Sequence, residues 1–273
     1  MQVNDKNLYD THIHTHFSGD SQADPCAIAQ KAFELGLKGI CFTDHLDIDY
    51  KEEPGLFDLD IPAYQKEISF VKENYKDKLD ICCGIELGLQ PYLEAENQKV
   101  ITENNFDFVI GSTHVIKQVD IYYPSYYKGR NEADCYREYF EETLKNAQSA
   151  VDFDVYGHLD YVVRYGPNKN KYYTFEKYAD VIDEILRVLI TKGKGLELNT
   201  AGFKYGLGHA HPIIPVLKRY KELGGEILTL GSDGHAPEQI AWDFAKVPAI
   251  LNEAGFTYFT VFHNRKPEFI RLP

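Results

Sequence analysis

Three histidines alternate near the start of the chain, at His12, His14 and His16 of the segment YDTHIHTHFSGDS. The residues LYD that precede them are typical of a short β-strand, in which residues i and i+2 face the same side about 7 Å apart. His12 and His14 are therefore expected to aim their imidazoles at one metal ion. Asp10 lies on the same predicted face, where we expect its carboxylate to orient these imidazoles by hydrogen bonding.

A second alternating pair, His209 and His211, has a different setting. Gly206 and Gly208 indicate a loop, and Pro212 is expected to open a helix directly after the pair. We therefore expect His209 and His211 to be bystanders that bind no metal.

Metal-capable side chains follow six of the seven strand-like segments of the chain. They are His12 and His14 (with Asp20 in the following loop), His45, Glu86, His114, His158, and the pair Asp233 and His235. Taken singly, each has an ordinary structural interpretation, such as a helix N-cap, a strand end or a turn. Their shared position at strand ends is what favours a common site.

The elements that must position these residues are short apolar segments alternating with longer amphipathic ones, which predicts alternating strands and helices. The strand-like segments are LYDTHIH, GICFTDH, DICCGIEL, FDFVIGSTH, DVYGHLD, GLELNTA and ILTLGSDGH. Between them lie helical patterns, among them residues 24–36, 61–75, 132–150, 175–193 and 211–225. Repeated strand and helix indicates a parallel sheet.

One more strand-like run, TYFTVF, follows the seven units, and no eighth helix of any length comes after it. We therefore predict a single α/β domain over residues 1–273, an irregular TIM-like (β/α)7 barrel, with an open doubly wound sheet as the alternative. In such a barrel the C-terminal strand ends meet on one face, where active sites lie. This face would collect the metal-capable side chains.

Composition limits the classes of function. The net charge of −13 argues against a protein that tracks nucleic acid through its phosphates. No apolar run has the length of a membrane span, and the first residues lack the pattern of a signal peptide, so we expect a cytoplasmic protein. The five cysteines include no C-x-x-C motif, which argues against a disulfide framework or a zinc–thiolate site.

The chemistry of the candidate ligands is that of imidazole nitrogen and carboxylate oxygen without thiolate, which suits Zn²⁺, Mn²⁺ or Fe²⁺. Nine such groups are too many for one ion, so we expect two or three divalent ions. Ions held about 3.5–4 Å apart are typical of sites that hold the attacking and leaving oxygens in hydrolysis.

The series DTHIHTHFSGDS, FTDH, GIE, STH, GHLD and GSDGH resembles, in this order, the PHP (polymerase and histidinol phosphatase) family of metal-dependent phosphoesterases. The resemblance spans residues 9–235. Within it, GHLDYVVRYG and LELNTAGFK are similar to the monofunctional histidinol-phosphatase branch, whose members convert L-histidinol phosphate to L-histidinol in histidine biosynthesis. The implied substrate is thus a small phosphorylated molecule, and neither nucleic acid nor membrane is an expected partner.

The resemblance also implies which residues hold each ion. The first ion would be held by His12, His14, Glu86 and Asp233, the second by Asp20, His45 and His235, and the third by Glu86, His114 and His158. More distant relatives often carry histidine where Asp20 stands, which implies a weaker second site here. His16 matches no ligand position and is expected at the rim of the pocket.

For the reaction, water activated by the ions is expected to attack phosphorus in line with the ester oxygen. Arg164 is expected to grip the phosphoryl group through its planar fork of N–H donors, and Lys204 to add a second positive contact. Asp233 or a metal-bound water is expected to protonate the leaving alkoxide. Candidates for recognising the rest of the substrate are Asn199, Tyr161, His209 and His263.

Two other functions stay open at this point. One is a PHP phosphoesterase that acts on nucleotides, oligonucleotide ends or phosphotyrosine with the same ions. The other is a metal-binding scaffold without catalysis. The acidic charge argues against the nucleic-acid version, and the complete ligand set beside a candidate phosphate-binding arginine argues against the scaffold.

Overall fold

Seven parallel strands form the wall of a nearly closed barrel in the computed structural model, which describes residues 7–272. The strands are β1 (Tyr9–Ile13), β2 (Gly39–Phe42), β3 (Asp80–Gly88), β4 (Phe108–Ser112), β5 (Val155–Tyr156), β6 (Gly195–Asn199) and β7 (Leu228–Gly231). They pair in chain order, and a main-chain hydrogen bond of 2.9 Å from His14 N to Gly234 O joins the two ends of the sheet. The predicted seven-unit barrel is confirmed, and the open doubly wound sheet is wrong.

One helix follows each barrel strand and covers the outside of the barrel. The helices are α1 (Pro25–Leu35), α2 (Ile61–Tyr75), α3 (Glu94–Glu103), α4 (Glu132–Gln148), α5 (Ala179–Thr191), α6 (Ile214–Glu222) and α7 (Val247–Ala254). Helix α1 shows why these segments begin and end where they do. The side chain of Asp24 accepts from the N–H of Cys26 at its start, and Gly36 ends it with a φ of 78° that favours glycine.

The start of α6 differs from the prediction. Pro215, rather than Pro212, lies in its first turn. Residue 211 cannot enter the helix because its N–H and C=O are both hydrogen-bonded to the main chain of Asn199, at 2.7 Å each. This extended pairing holds the segment before Pro212 against the end of β6.

The run TYFTVF forms β8 (Tyr258–His263), which pairs in antiparallel fashion with β9 (Lys266–Arg271) instead of joining the barrel. Phe262 of β8 packs into the N-terminal end of the barrel, against Cys41, Cys82, Phe108, Ile110 and Val155. This hairpin fills the lower end of the barrel. The loops that follow the strands lie at the C-terminal end, where a pocket opens.

Three shorter strands and a helical turn lie in the loops, at His45–Leu46, Val115–Ile116, Val119–Asp120 and Ala201–Lys204. Across residues 7–272 we find no helix that combines the length and the apolar character needed to cross a bilayer. All five cysteines are free, and Cys41, Cys82 and Cys135 are buried. The expectation that they form no disulfide framework agrees with this arrangement.

Candidate metal centre

Five imidazoles surround the carboxylate of Glu86 at the C-terminal end of β3. From Oε2 the distances are 3.0 Å to His45 Nδ1, 3.1 Å to His12 Nε2 and 3.6 Å to His14 Nε2, and from Oε1 they are 3.0 Å to His158 Nε2 and 3.3 Å to His114 Nε2. The hydroxyl of Ser112 donates to Oε1 at 2.6 Å and fixes the carboxylate in place. Glu86 thus lies where a bridging ligand would have to be.

Strand geometry explains how these side chains meet. His12 lies on β1 and His14 directly follows its last residue, so both imidazoles emerge at the same rim. His45 lies on the short strand beside β3 and pairs in register with Glu86. His114 and His158 each stand two residues beyond the end of a strand, β4 and β5. The parallel sheet therefore delivers all five to one end of the barrel.

Asp20, Asp233 and His235 lie on the outer side of this cluster. Asp233 Oδ1 is 3.4 Å from His14 Nε2 and 3.6 Å from His235 Nδ1. Asp20 Oδ2 is 3.0 Å from His235 Nε2 and 3.9 Å from His45 Nε2. Asp233 has a φ of 53°, a left-handed conformation that residues other than glycine rarely adopt and that often marks functional sites. All nine predicted ligands thus lie in one cluster.

The cluster has the features of a site built for cations. Nε2 of His12, Nε2 of His14 and Nδ1 of His45 lie 3.0–3.6 Å from Oε2 of Glu86, but none of these four buried atoms forms a regular hydrogen bond within residues 7–272. Leaving such polar atoms buried and unpaired costs free energy, which a bound ion would recover. Three groups of proposed ligands have ligand atoms within 4.8 Å of one another: His12, His14 and Glu86; His14, His45 and His235; and Glu86, His114 and His158. His45 and His114 form a fourth such group with Asp47, and Asp80, Cys82 and His263 form a fifth near the N-terminal end of β3. The donor types fit divalent transition ions.

The charges of the cluster support this interpretation. Burial raises the pKa of Glu86, but His12, His45 and His114 outweigh burial and hold that pKa well below its usual value. Burial lowers the pKa of His45, and the carboxylates of Glu86 and Asp20 reverse this shift, so that its pKa lies at about 9. Glu86 is therefore negative at neutral pH and attracts positive charge, whether from protonated imidazoles or from metal ions.

Two buried carboxylates that sequence reasoning missed contact the imidazoles of the cluster from behind. Glu197 on β6 lies 2.6 Å from Nδ1 of His12, and Asp47 lies 3.0 Å from Nδ1 of His114. The signal for Glu197 was its position as a charged residue inside the apolar strand GLELN. By contrast, Asp10 accepts from the N–H groups of Ser232 and Ala241, so the expectation that Asp10 orients the imidazoles is wrong.

Arg164 lies in the short 3-10 helix Tyr161–Arg164 that follows β5, and its side chain is buried. Its Nη1 donates to Asp233 Oδ2 at 3.1 Å. Its Nε and Nη2 are buried and have no hydrogen-bond partner within residues 7–272. The ring of Tyr205 lies 4.3 Å from the guanidinium carbon and restrains the fork. Two nitrogens of Arg164 thus keep unused hydrogen-bonding capacity beside the cluster.

The other predicted substrate contacts differ in their surroundings. Lys204 Nζ donates to Asp233 O at 2.8 Å and to Gln239 Oε1 at 3.0 Å, and Lys204 lines the pocket above the cluster. Asn199 is fully buried, and its side chain bonds to Glu197 Oε2 at 3.1 Å and to the N–H of Ala201 at 2.9 Å. Because both the nitrogen and the oxygen of this amide are hydrogen-bonded within the protein, the expectation that Asn199 contacts the substrate is not supported.

Of the remaining residues that the sequence singled out, one lines the pocket and two lie away from the ligand cluster. Tyr161 lines the pocket. His263 pairs with Asp80 at 2.8 Å. Asp80 is the first residue of β3, so His263 lies at the end of the barrel opposite the ligand cluster. His16 is 3.7 Å from Glu67 Oε2 and two-fifths exposed, outside the three ligand groups given above.

His211 of the predicted bystander pair is fully buried, with Nδ1 2.5 Å from Asp160 Oδ1. Burial lowers the pKa of its imidazole to about 4, although the charge of Asp160 acts in the opposite direction. Nδ1 of His209 lies 2.8 Å from the main-chain oxygen of Ala210. Neither residue belongs to the ligand groups described above.

The depressed pKa of His211 predicts a loss of stability in acid. The unfolded chain binds the proton with a pKa near 6.5, so this contribution is complete above that pH and is lost as pH falls toward 4. We expect the free energy of unfolding of the metal-depleted protein to fall by about 2 kcal/mol more in wild type than in His211→Gln between pH 7.5 and pH 5. Urea unfolding at both pH values measures this, with His209→Gln as a control that keeps the wild-type dependence; equal slopes for wild type and His211→Gln would contradict it.

An aromatic and acidic pocket opens directly above the cluster. Its wall includes Tyr50, Phe57, Tyr122, Tyr123, Tyr161, Tyr165 and Tyr205, together with Asp47 and Asp120. The carboxylate of Asp120 is almost fully buried and accepts from the hydroxyl of Tyr50 and the N–H of Tyr122, at 2.7 Å each. Rings and carboxylates in this combination suit a cationic or ring-bearing organic group.

Comparisons with known proteins agree with this geometry. Residues 10–201 match the family model described as the PHP domain. A histidinol-phosphatase of Lactococcus lactis subsp. lactis is 35% identical over 259 residues, which cover 94% of this chain and 95% of the relative. The crystal structure of histidinol phosphate phosphatase from Lactococcus lactis subsp. lactis, complexed with zinc, L-histidinol and phosphate, has a TM-score of 0.87 and 33% identity and covers 96% of this chain and 99% of that one. A putative histidinol phosphatase from Listeria monocytogenes shares the fold, with a TM-score of 0.77 at 19% identity, covering 87% and 99% of the two chains.

Proposed function

The chain belongs to the PHP domain family, and from this premise we propose that it is a metal-dependent phosphomonoesterase that hydrolyses L-histidinol phosphate to L-histidinol and phosphate. The relatives that share a third of its residues over nearly the whole chain carry the name of this activity. The structural observation that carries the proposal is the position of Arg164. Arg164 lines the same small pocket as His158, Asp233 and His235, and its Nε and Nη2 have no hydrogen-bond partner among residues 7–272.

We propose two or three divalent ions, with Zn²⁺ as the first candidate because zinc is present in the similar Lactococcus structure. The proposed ligands are the nine side chains of the cluster: His12, His14, Asp20, His45, Glu86, His114, His158, Asp233 and His235. When bound, the ions would lower the pKa of water to about 7 and neutralise charge on the phosphoryl oxygens. Mn²⁺ and Fe²⁺ accept the same donors.

The residues of the chain itself bind and orient the phosphoryl group. Arg164 would donate from Nε and Nη2 to two phosphoryl oxygens, a geometry for which its planar fork is suited. Asp233 holds the other edge of this fork through Nη1. Burial raises the pKa of Asp233, but His14 and Arg164 outweigh burial and hold the pKa well below its usual value. We therefore propose Asp233 as a ligand and as the partner of Arg164, and no longer as the acid that protonates the leaving alkoxide.

The pocket above the cluster would receive the rest of the substrate. L-Histidinol carries an amine that is cationic at neutral pH and an aromatic imidazole, and the wall offers tyrosine rings and the carboxylates of Asp47 and Asp120. A nucleoside bisphosphate would instead bring a second phosphate toward these carboxylates, and phosphotyrosine within a peptide has no free amine to pair with them. Charge complementarity therefore favours histidinol phosphate over both alternatives.

Asp120→Asn is expected to separate substrate recognition from phosphate chemistry. Because the variant removes a negative charge from the wall that we propose to receive the substrate amine, we expect kcat/KM for histidinol phosphate to fall about tenfold, the effect of one charged hydrogen bond. Hydrolysis of p-nitrophenyl phosphate, which has no amine, is expected to stay within about twofold of wild type. Equal losses on both substrates would mean that Asp120 acts on the fold rather than on recognition.

The function itself is tested by comparing substrates with the metal-loaded enzyme. Histidinol phosphate is expected to be turned over with a kcat/KM at least about tenfold above a nucleoside bisphosphate and a phosphotyrosine peptide, the difference that one charged contact supplies. A preference for either of the latter would contradict the proposed substrate. Bound metal without release of phosphate from any monoester would favour the scaffold.

A further inference from the structure

We propose that Glu197 is a positioning residue of the metal centre. Its carboxylate fixes both the orientation of the His12 imidazole and the position of the His158 main chain. These are proposed ligands of two different ions, so the inference rests on the proposed metal binding. Glu197 lies on β6, the barrel strand that supplies none of the nine proposed ligands.

Both oxygens of Glu197 are fully occupied, and every partner is a donor. Oε1 is 2.6 Å from Nδ1 of His12. Oε2 accepts from the main-chain N–H of His158 at 2.9 Å and from Nδ2 of Asn199 at 3.1 Å. The side chain is completely buried. A carboxylate held from two sides in this way cannot rotate without breaking one of the contacts.

The neighbouring strand leaves room for this carboxylate. A Cβ atom placed on Gly231 of β7 would lie 2.1 Å from Oε1 of Glu197 and 2.5 Å from Cβ of His12. Any larger residue at position 231 would therefore displace the pair. The absence of a side chain at that position is an independent indication that the contact between Glu197 and His12 is built into the barrel.

The contact determines which nitrogen of His12 is available to metal. With Oε1 as acceptor, Nδ1 carries a proton, which leaves Nε2, 3.1 Å from Oε2 of Glu86, as the nitrogen that a metal ion can use. Nε2 is one of the buried atoms without a hydrogen-bond partner among residues 7–272. A carboxylate behind a ligating histidine fixes the ring and increases its basicity, and losing such a partner typically weakens metal binding 10–100-fold.

The second contact acts on the backbone. Strand β5 has only two residues, Val155–Tyr156, and His158 stands beyond its end, where few ladder hydrogen bonds restrain the chain. The bond from His158 N to Glu197 Oε2 supplies that restraint. Glu197 thereby links the strands that carry ligands of the first and third ions.

The sharpest test is Glu197→Gln, which keeps size and shape but replaces one acceptor oxygen with an NH₂ donor. If the amide turns that NH₂ toward His12, Nδ1 can accept from it only when the imidazole proton moves to Nε2, the nitrogen needed for metal. If the NH₂ turns the other way, it faces the donors of His158 and Asn199. Zinc affinity of the metal-depleted full chain, measured by competition with a chelator, is expected to fall 10–100-fold. The visible spectrum of the Co²⁺-loaded variant is expected to change, because His12 coordinates less well.

Asp154→Asn is the matched control. Asp154 is also buried and accepts from the N–H of Val109 at 2.8 Å and from Nε of Arg265 at 2.6 Å, but it lies at the N-terminal end of β5. The Asp154→Asn substitution is expected to lower the unfolding temperature of the metal-free protein while leaving zinc affinity within about twofold of wild type. A purely structural role for Glu197 would give the same pattern in Glu197→Gln.

Zinc affinity of Glu197→Gln within about twofold of wild type, or an equal loss in Asp154→Asn, would overturn the inference. If Glu197→Gln does not fold, Glu197→Asp carries the same test, because it keeps the charge but is too short to reach both partners. Zinc binding is read without substrate. If wild type hydrolyses histidinol phosphate and Glu197→Gln binds zinc normally, only this inference is refuted. If Glu197→Gln binds zinc more weakly but wild type is inactive toward histidinol phosphate, only the proposed function is refuted.

Discussion

Glu86→Gln is expected to lower kcat/KM for histidinol phosphate on the order of 1,000-fold and to leave the purified protein with fewer ions per chain. Five imidazoles face this one carboxylate at 3.0–3.6 Å. Replacing it with a neutral amide removes the negative charge that all five face and turns one oxygen into a donor. Removing one partner from a buried charged cluster costs several kcal/mol, which corresponds to losses of this size.

The measurement pairs elemental analysis after gentle purification with a phosphate-release assay. Glu67→Gln is the control, because Glu67 is an exposed partner of His16 and lies outside the ligand groups. It is expected to keep full metal content and activity. A Glu86→Gln enzyme that retains both metal content and more than about a tenth of the activity would mean that Glu86 is not a bridging ligand.

Arg164→Ala is expected to lower kcat/KM roughly 100-fold while metal content stays unchanged. The two unpaired N–H groups of Arg164 are proposed to bind phosphoryl oxygens, and a hydrogen bond to a charged group contributes about 1.5–3 kcal/mol. Arg164→Lys keeps the charge but loses the planar fork, so its activity is expected to lie between those of wild type and Arg164→Ala.

Inhibition by inorganic phosphate provides a second measurement, because phosphate would occupy the same contacts. Its inhibition constant is expected to rise in Arg164→Ala by about the same factor as kcat/KM falls. Arg137→Ala serves as the control, since Arg137 pairs with Asp180 on the surface, at 2.8 Å, and contributes little there. Loss of metal together with activity in Arg164→Ala would show that Arg164 holds the cluster together through Asp233 instead.

The candidate ligands follow from sequence because their positions obey short-range rules. Alternation on a strand predicts that His12 and His14 emerge together, and regular strand and helix units predict a parallel barrel whose strand ends converge. The structure bears out this convergence for Glu86, His114 and His158, although they come from three different strands. Periodicity fixes a side chain to a face of its strand, and the parallel barrel then determines which faces meet.

Two features of the fold depended on contacts between distant parts of the chain. The C-terminal run pairs as a hairpin below the barrel because Phe262 fills its lower end. The segment before Pro212 stays extended because His211 bonds to the backbone of Asn199. No local pattern encodes either contact, since the partner lies on another element.

The environment of the ligands was likewise decided only in three dimensions. Asp10 and Glu197 are both acidic residues inside strands, and their spacing in sequence favoured Asp10 as the partner of the imidazoles. The folded chain instead turns Asp10 to the backbone at Ser232 and brings Glu197, 185 residues away from His12, to within 2.6 Å of it. Residue type and strand period thus determined which side chains reach the rim. Only the closure of the barrel, which sets the distances between strands, determined which carboxylates stand behind them.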